Sequence, residues 1–280
     1  MTTPPALLLA GHGIRDESAA AALRAFTREF GARHPGIRVA GGAAGTGPGP
    51  AADAAAAVAA LAGDGATRIV AVPLSLAPDA RLHQQIAGAL ATGRAGHGEV
   101  RCVTAEAVGA HPALLGVLER RLDEALGGGA RTPSDRAATT VLLVGAGSVD
   151  PAGNAEVHRI ARLLWEGRGY AGVECAFVSL AAPDVVSGLD RCARLGARRV
   201  VLLPVALFAG GPTERAWAQA EGWALARPEV QVVRAEPVGP VEELMAAVLE
   251  RYAAAAGGPA PRPGVPDTAP GAGSGTARVR

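Results

Sequence analysis

The chain has 280 residues, with 27 basic and 26 acidic side chains, a formal net charge of +1, 49% apolar residues and only 3% aromatics. That balance points to neither nucleic acid nor an anionic membrane as a partner. Three scattered cysteines, Cys102, Cys175 and Cys192, argue against a disulfide framework and fit a reducing compartment. Every basic residue is Arg, and Ala, Val and Leu must fill the core. The first residues carry no basic leader, and no apolar run approaches the roughly 18 residues of a membrane span, so a cytoplasmic protein is expected.

The predicted elements begin at residues 7–10, a short apolar run closed by Gly11-His12-Gly13. A run of that kind suits a strand buried on both faces, with glycines that let the chain turn and leave space around the one side chain between them. His12 then sits where a strand's carboxyl end meets a helix, the edge at which open α/β sheets bind ligands. Its imidazole can ligate a metal or move a proton; a loop histidine without chemical role is the alternative. Residues 18–34 read as a helix, with Leu23, Phe26 and Phe30 at i, i+3 and i+7. A second strand is expected over 37–41, then a breaker-rich loop over 42–50 and an alanine-rich helix opened by Asp53. A strand over 68–73, a helix over 80–91, a strand over 100–104 and a helix over 112–126 complete the first series. Strands alternating with helices of this length predict βαβ units and a parallel sheet.

After a stretch rich in Gly, Thr, Pro and Ser, the pattern repeats. Residues 141–150 overlay residues 7–16, and 196–204 overlay 65–73. Val238-Gly239 with its following helix mirrors Val108-Gly109 with its own. Three landmarks in the same order identify a duplication. The expected architecture is α/β: two duplicated parallel-sheet, three-layer α/β/α domains facing across a cleft. They are placed at 1–127 and 139–256, joined by a linker at 128–138 and followed by a disordered tail at 257–280. In the overlay His12 falls on Ala146, so only the first copy keeps the imidazole.

Two facing domains make a cleft where both sets of strand ends converge. Familiar catalytic signatures are missing: no P-loop, no Gly-x-Ser-x-Gly elbow, no Cys-x-x-Cys and no His-Glu-x-x-His. His34, His97 and His158 suit solvent, and His111 before Pro112 suits an N-cap. His83 follows the third strand, whose end should lie beside the first, although an exposed helix face remains an alternative for it.

The order of landmarks resembles the two-domain sirohydrochlorin chelatases, the class II tetrapyrrole metal chelatases of CbiX-like form. The resemblance rests on Gly11-His12-Gly13-x-Arg15-Asp16, Val72-Pro73-Leu74 and the phrases 109–115 and 118–122. In the second half it rests on 144–151, Asn154-Ala155-Glu156, 161–170 and 195–199. It implies a lyase that inserts cobalt or ferrous iron into a tetrapyrrole. The divalent metal is then a substrate, the tetrapyrrole is the partner molecule, and no organic cofactor is needed. His12 matches the family's first histidine and is implied as catalytic residue and metal ligand. The second histidine's position carries Arg81, with His83 two residues on, about 200° around a helix; His83 is kept as a second metal candidate. Gly13, Arg15 and Arg81 are implied as substrate-binding, since arginine grips carboxylates bidentately. The family's glutamate falls on Gly45, its later acidic position on Gln85, and its second-half arginine on Ala146. A relative that binds a tetrapyrrole or a metal without inserting it is the rival expectation.

Overall fold

Leu7, Leu8 and Leu9 are all fully buried, as a strand covered on both faces requires. Leu7 and Leu9 point into one apolar cluster and Leu8 into another, so the strand alternates between two cores. The computed structural model describes residues 3–12, 17–45, 53–128 and 132–257, with His12 given by its backbone. The first half comprises β1 (Ala6–His12), α1 (Glu17–Arg33), β2 (Val39–Ala44), α2 (Ala54–Gly63), β3 (Arg68–Leu74), α3 (Ala80–Gly93), β4 (Arg101–Thr104) and α4 (Pro112–Ala125). The short α5 (Pro133–Ala137) leads into β5 (Thr140–Gly145), α6 (Pro151–Trp165), β6 (Gly172–Phe177), α7 (Val185–Arg194), β7 (Arg199–Pro204), α8 (Gly211–Ala226), β8 (Gln231–Arg234) and α9 (Glu242–Gly257).

The strands form two four-stranded parallel sheets, ordered β2-β1-β3-β4 and β6-β5-β7-β8. The same order in both halves is the duplication read from the landmarks. Helices α2 and α3 cover the outer face of the first sheet, and α7 and α8 that of the second. The inner faces share one continuous core built by α1, α4, α6 and α9.

Within that core the last helix of each half crosses over. Helix α4 lies against β7 of the second sheet, and α9 lies against β3 of the first. The crossing turns are the Val-Gly landmarks: Val108 and Gly109 donate to the carbonyls of Pro73 and Ser75, and Val238 and Gly239 to those of Ala206 and Leu207. Gly109 and Gly239 have φ of 67° and 77°, backbone that a side chain would strain, so glycine is needed at both turns. Side chains lock the exchange in both directions. Arg121 donates to the Pro237 and Val238 carbonyls, at 3.0 and 2.8 Å, and Arg251 to the Val108 carbonyl at 3.4 Å. Buried Tyr252 of α9 donates its hydroxyl to the Pro5 carbonyl at 2.6 Å, just before β1.

Two sequence expectations change in physical detail. Residues 42–44, read as part of a loop, belong to β2. A Cβ on Gly42 would stand 2.5 Å from the Ala54 backbone, so this glycine admits a closely packed helix rather than breaking the strand. Inside the stretch read as a linker, Thr132 and Asp135 form a capping box that starts α5. That short helix presents Arg136 to Glu119 and Asp123 of α4. Residues 46–50 and the tail from 258 on lie outside the described residues.

Glu119 accepts from Arg136 at 2.9 Å and from Arg168, beyond α6, at 2.8 Å. Burial penalises its carboxylate, but the two guanidiniums, Arg168 foremost, outweigh that and hold its carboxyl below the usual range. A depressed folded-state pKa contributes stability above the unfolded value and loses it as pH falls through the folded one. Glu119→Gln should therefore cost about 1–2 kcal/mol at neutral pH, and the gap to wild type should close below about pH 4, as read by urea melts. Tyr252→Phe should cost about 1 kcal/mol with no such pH dependence, since it removes one buried neutral hydrogen bond.

Candidate functional site

Parallel pairing brings the carboxyl ends of all the strands of a half to one edge, and the two edges face each other across a cleft of about 690 Å³. That size lies within the range of small-molecule sites, roughly 300–1,000 Å³. The first half lines it with Gly11 at the end of β1 and with the connection from Leu74 to Arg81. The second half lines it with residues 144–148 at the end of β5 and just beyond, Val178–Leu180 after β6, and 204–213, Arg215 and Ala216 from the end of β7 into α8.

Local hydrogen bonds fix each wall. In the first half the Ser75 hydroxyl donates to the Ala77 carbonyl at 2.6 Å, and Asp79 N-caps α3 by accepting from Leu82 N–H. In the second half Asn154 clamps the turn after β5: its Oδ1 accepts from Ser148 N–H at 3.0 Å, and its Nδ2 donates to the Ser148 carbonyl at 2.8 Å. Gly147 has φ of 86°, and a Cβ there would lie 1.7 Å from the Ser179 carbonyl oxygen. No side chain fits between the β5 and β6 connections. The walls also touch each other. A Cβ on Gly153 would come within 2.8 Å of the Pro78 carbonyl oxygen, and Phe208 packs on Phe26 with ring centroids 5.7 Å apart.

His12 ends β1, in register with Ala44 of β2, next to cleft-lining Gly11. Gly13 and Arg15 lie outside the described residues. Arg81 lines the cleft from the first turn of α3 and is exposed. His83, one half-turn further, is half-buried rather than fully exposed, and its Nδ1 stands 3.0 Å from the Asp79 carbonyl oxygen. A carbonyl only accepts, so Nδ1 carries the hydrogen and the neutral ring keeps its lone pair on Nε2. His83 is not among the described residues that line the cleft. His111 is the N-cap of α4, accepting from Ala113 N–H at 3.3 Å, and pairs with Glu250 at 3.0 Å.

Two positions at which the resemblance implies acidic side chains prove to be neighbours: a Cβ on Gly45 would lie 3.5 Å from the amide of Gln85. Neither supplies a carboxylate. Ala146 lines the cleft where an arginine was implied. Among the described residues no group of three His, Cys, Asp or Glu side chains gathers to hold a metal ion. Among the described residues the charged side chains that line the cleft are Asp79, already engaged as a cap, Arg81 and Arg215. Cys175 and Cys192 are pushed up to about 12 by burial, which keeps them protonated and unreactive. Among the described residues no helix is long and apolar enough to cross a membrane.

Sequence reasoning missed Arg215 and Leu180 as cleft residues, and took Asn154 only as part of a phrase. Arg215 carried a usable signal, because it follows the strand motif of the second copy much as Arg81 follows that of the first. Leu180 carried none, since its placement comes from a turn with no glycine, asparagine or aspartate to mark it.

Comparison with known proteins adds an independent line. The chain is 36% identical over 146 residues to a sirohydrochlorin cobaltochelatase of Priestia megaterium, covering 52% of this chain and 47% of that protein. It is 32% identical over 148 residues to a sirohydrochlorin ferrochelatase of the same organism, covering 52% and 53%. The matches thus span about half the length of these curated relatives. Among solved structures, SirB from Bacillus subtilis with Fe3+ superposes with a TM-score of 0.71 over 91% of this chain and 96% of that one. At 22% identity that likeness establishes the shared fold. The sequence model of the CbiX family matches residues 6–125 and 140–255, one stretch in each half. The chain belongs to the CbiX family, the sirohydrochlorin chelatase family that its landmarks resemble.

Proposed function

We infer that this chain is a sirohydrochlorin chelatase-type lyase that inserts a divalent metal, cobalt or ferrous iron, into a tetrapyrrole, with a reduced complement of metal-binding side chains. The observation that carries the reading is the cleft: strand ends of both copies converge on one ligand-sized space, in a chain whose relatives include a cobaltochelatase and a ferrochelatase.

The reaction exchanges two pyrrole N–H protons for one metal dication and releases two protons. It therefore needs a base near the macrocycle centre and a metal held by few ligands, so that the ion can be handed over. His12, at the end of β1, is assigned the base and metal-ligand role. His83 offers a second nitrogen, because its Nδ1–H is spent on the Asp79 carbonyl and Nε2 keeps a free lone pair. Arg15 and Arg81 are assigned to the carboxylates of the macrocycle, and Gly13 to the space the ring requires beside His12. Arg81 also repels an incoming dication, which lowers turnover relative to a chain with histidine there.

Arg81, Gln85 and Gly45, none of them a metal-binding side chain of the implied kind at its position, favour a second reading, a family member that binds the macrocycle or the metal without insertion. One absorbance assay separates the two: purified protein, sirohydrochlorin and cobalt or ferrous iron, against a protein-free control. Insertion faster than the control is expected. Tight macrocycle binding with no acceleration selects the second reading.

His12→Ala should lower the insertion rate at least about a hundredfold while leaving the melting temperature nearly unchanged, which a thermal melt checks. Full activity in that variant would remove His12 from the reaction. Arg81→His should raise the insertion rate by replacing a repelling cation with a ligand. Arg81→His is the cleaner restoration: Gly45 has φ of 141°, so a glutamate there would also strain the backbone.

A further inference from the structure

Leu180 is held in a conformation that nothing in the fold's own packing rewards. It is 70% exposed, and its φ is 61°; among the described residues it is the single non-glycine with positive φ. It forms the tip of a three-residue turn, closed by Ala181 N–H donating to the Ser179 carbonyl at 2.7 Å. A γ-turn of this hand is rare and strained, and glycine is the residue that occupies such backbone freely. The turn is pinned from below. Ser179 donates both its N–H and its hydroxyl to the Ala146 carbonyl, each at 3.2 Å, and the Gly147 backbone lies hard against the Ser179 carbonyl. An apolar side chain is thus held out at the mouth of the cleft, at a conformational cost that glycine would relieve. Local strain kept at a cleft is a reason to look for a ligand contact.

Arg215, on the first turns of α8, lines the same cleft from the β7 side. It is exposed, and among the described residues no carboxylate pairs with it, whereas Arg121, Arg136, Arg159, Arg168 and Arg191 all have one. The second copy has Ala146 where the first has His12, and yet keeps these two groups of opposite character in the cleft.

We propose that Leu180 and Arg215 are the second half's ligand contacts: Leu180 lies against the apolar face of a flat macrocycle, and Arg215 binds a carboxylate on its rim. The first copy would then carry the chemistry at His12 while the second sets the pose. This assignment rests on the tetrapyrrole reading above, and its test is built so that the two can fail separately.

The test is a metal-free absorbance titration of sirohydrochlorin into the full chain, run for wild type, Leu180→Gly, Leu180→Asn and Arg215→Gln, with a melting curve for each. Leu180→Gly should bind about tenfold more weakly yet melt about 2–4 °C higher, because the turn is relaxed. Leu180→Asn, which also tolerates this backbone, should lose affinity to a similar extent. Arg215→Gln should bind about tenfold more weakly at low ionic strength, a deficit that shrinks toward zero by about 0.5 M salt, while that of the Leu180 variants persists. A stabilised Leu180→Gly that binds as wild type does would overturn the contact and leave the tetrapyrrole reading standing. So would an Arg215→Gln deficit that salt does not touch, since the arginine would then act through structure. Wild-type protein that takes up no sirohydrochlorin would overturn both.

Discussion

A four-stranded parallel sheet has two apolar faces, and neither can be left to water. In this chain each half supplies its own cover for the outer face, but the inner face is completed by the last helix of the opposite half. Helix α4 lies on β7 and α9 on β3. Much else follows from that exchange. The two inner cores become one. The Val-Gly turns must carry the chain across the strand ends, which requires glycine at 109 and 239. The arginines and carboxylates of α4 then find partners beyond α4 itself, as Glu119 does with Arg136 and Arg168.

The same constraint positions the cleft. With the sheets fixed by shared helices, the two sets of strand ends meet at a set distance, and close backbone contacts hold the walls. Pro78 against Gly153 and Phe26 against Phe208 leave little freedom for the halves to swing apart. A site held in this way admits a ligand by fitting side chains around it rather than by closing domains over it. The residues that do the fitting come from loops whose backbone is tightly held, as a preorganised site requires.

Most of the fold was legible because its signals are local and repeated. The apolar run at 7–10, the Asp53 cap and the helical spacing of Leu23, Phe26 and Phe30 each report their element without any knowledge of neighbours. The errors came where a residue's reason lay in a neighbour. Gly42 looks like a breaker until Ala54 is seen against it, and the polar stretch before β5 looks like a linker until Arg136 is seen to bridge to α4. The exchange of helices left no trace that composition or periodicity can express, because an amphipathic helix reads the same whichever sheet it covers. In the site, Arg81, Gln85 and Ala146 carry a sequence signal through their place after the strand motifs, whereas Leu180 owes its placement to a turn that only coordinates reveal.

The helix exchange also sets which parts of the duplicated chain are free to diverge. A change on the inner face of one sheet must be met by a helix of the other copy, as β3 is met by α9 and β7 by α4. Core positions of the two copies are therefore bound to change together. Some positions at the cleft are under no such tie: the first copy has His12 where the overlay of the second has Ala146. Duplication has thus left a symmetric frame around an asymmetric pocket, and the asymmetry can grow with no loss of the frame.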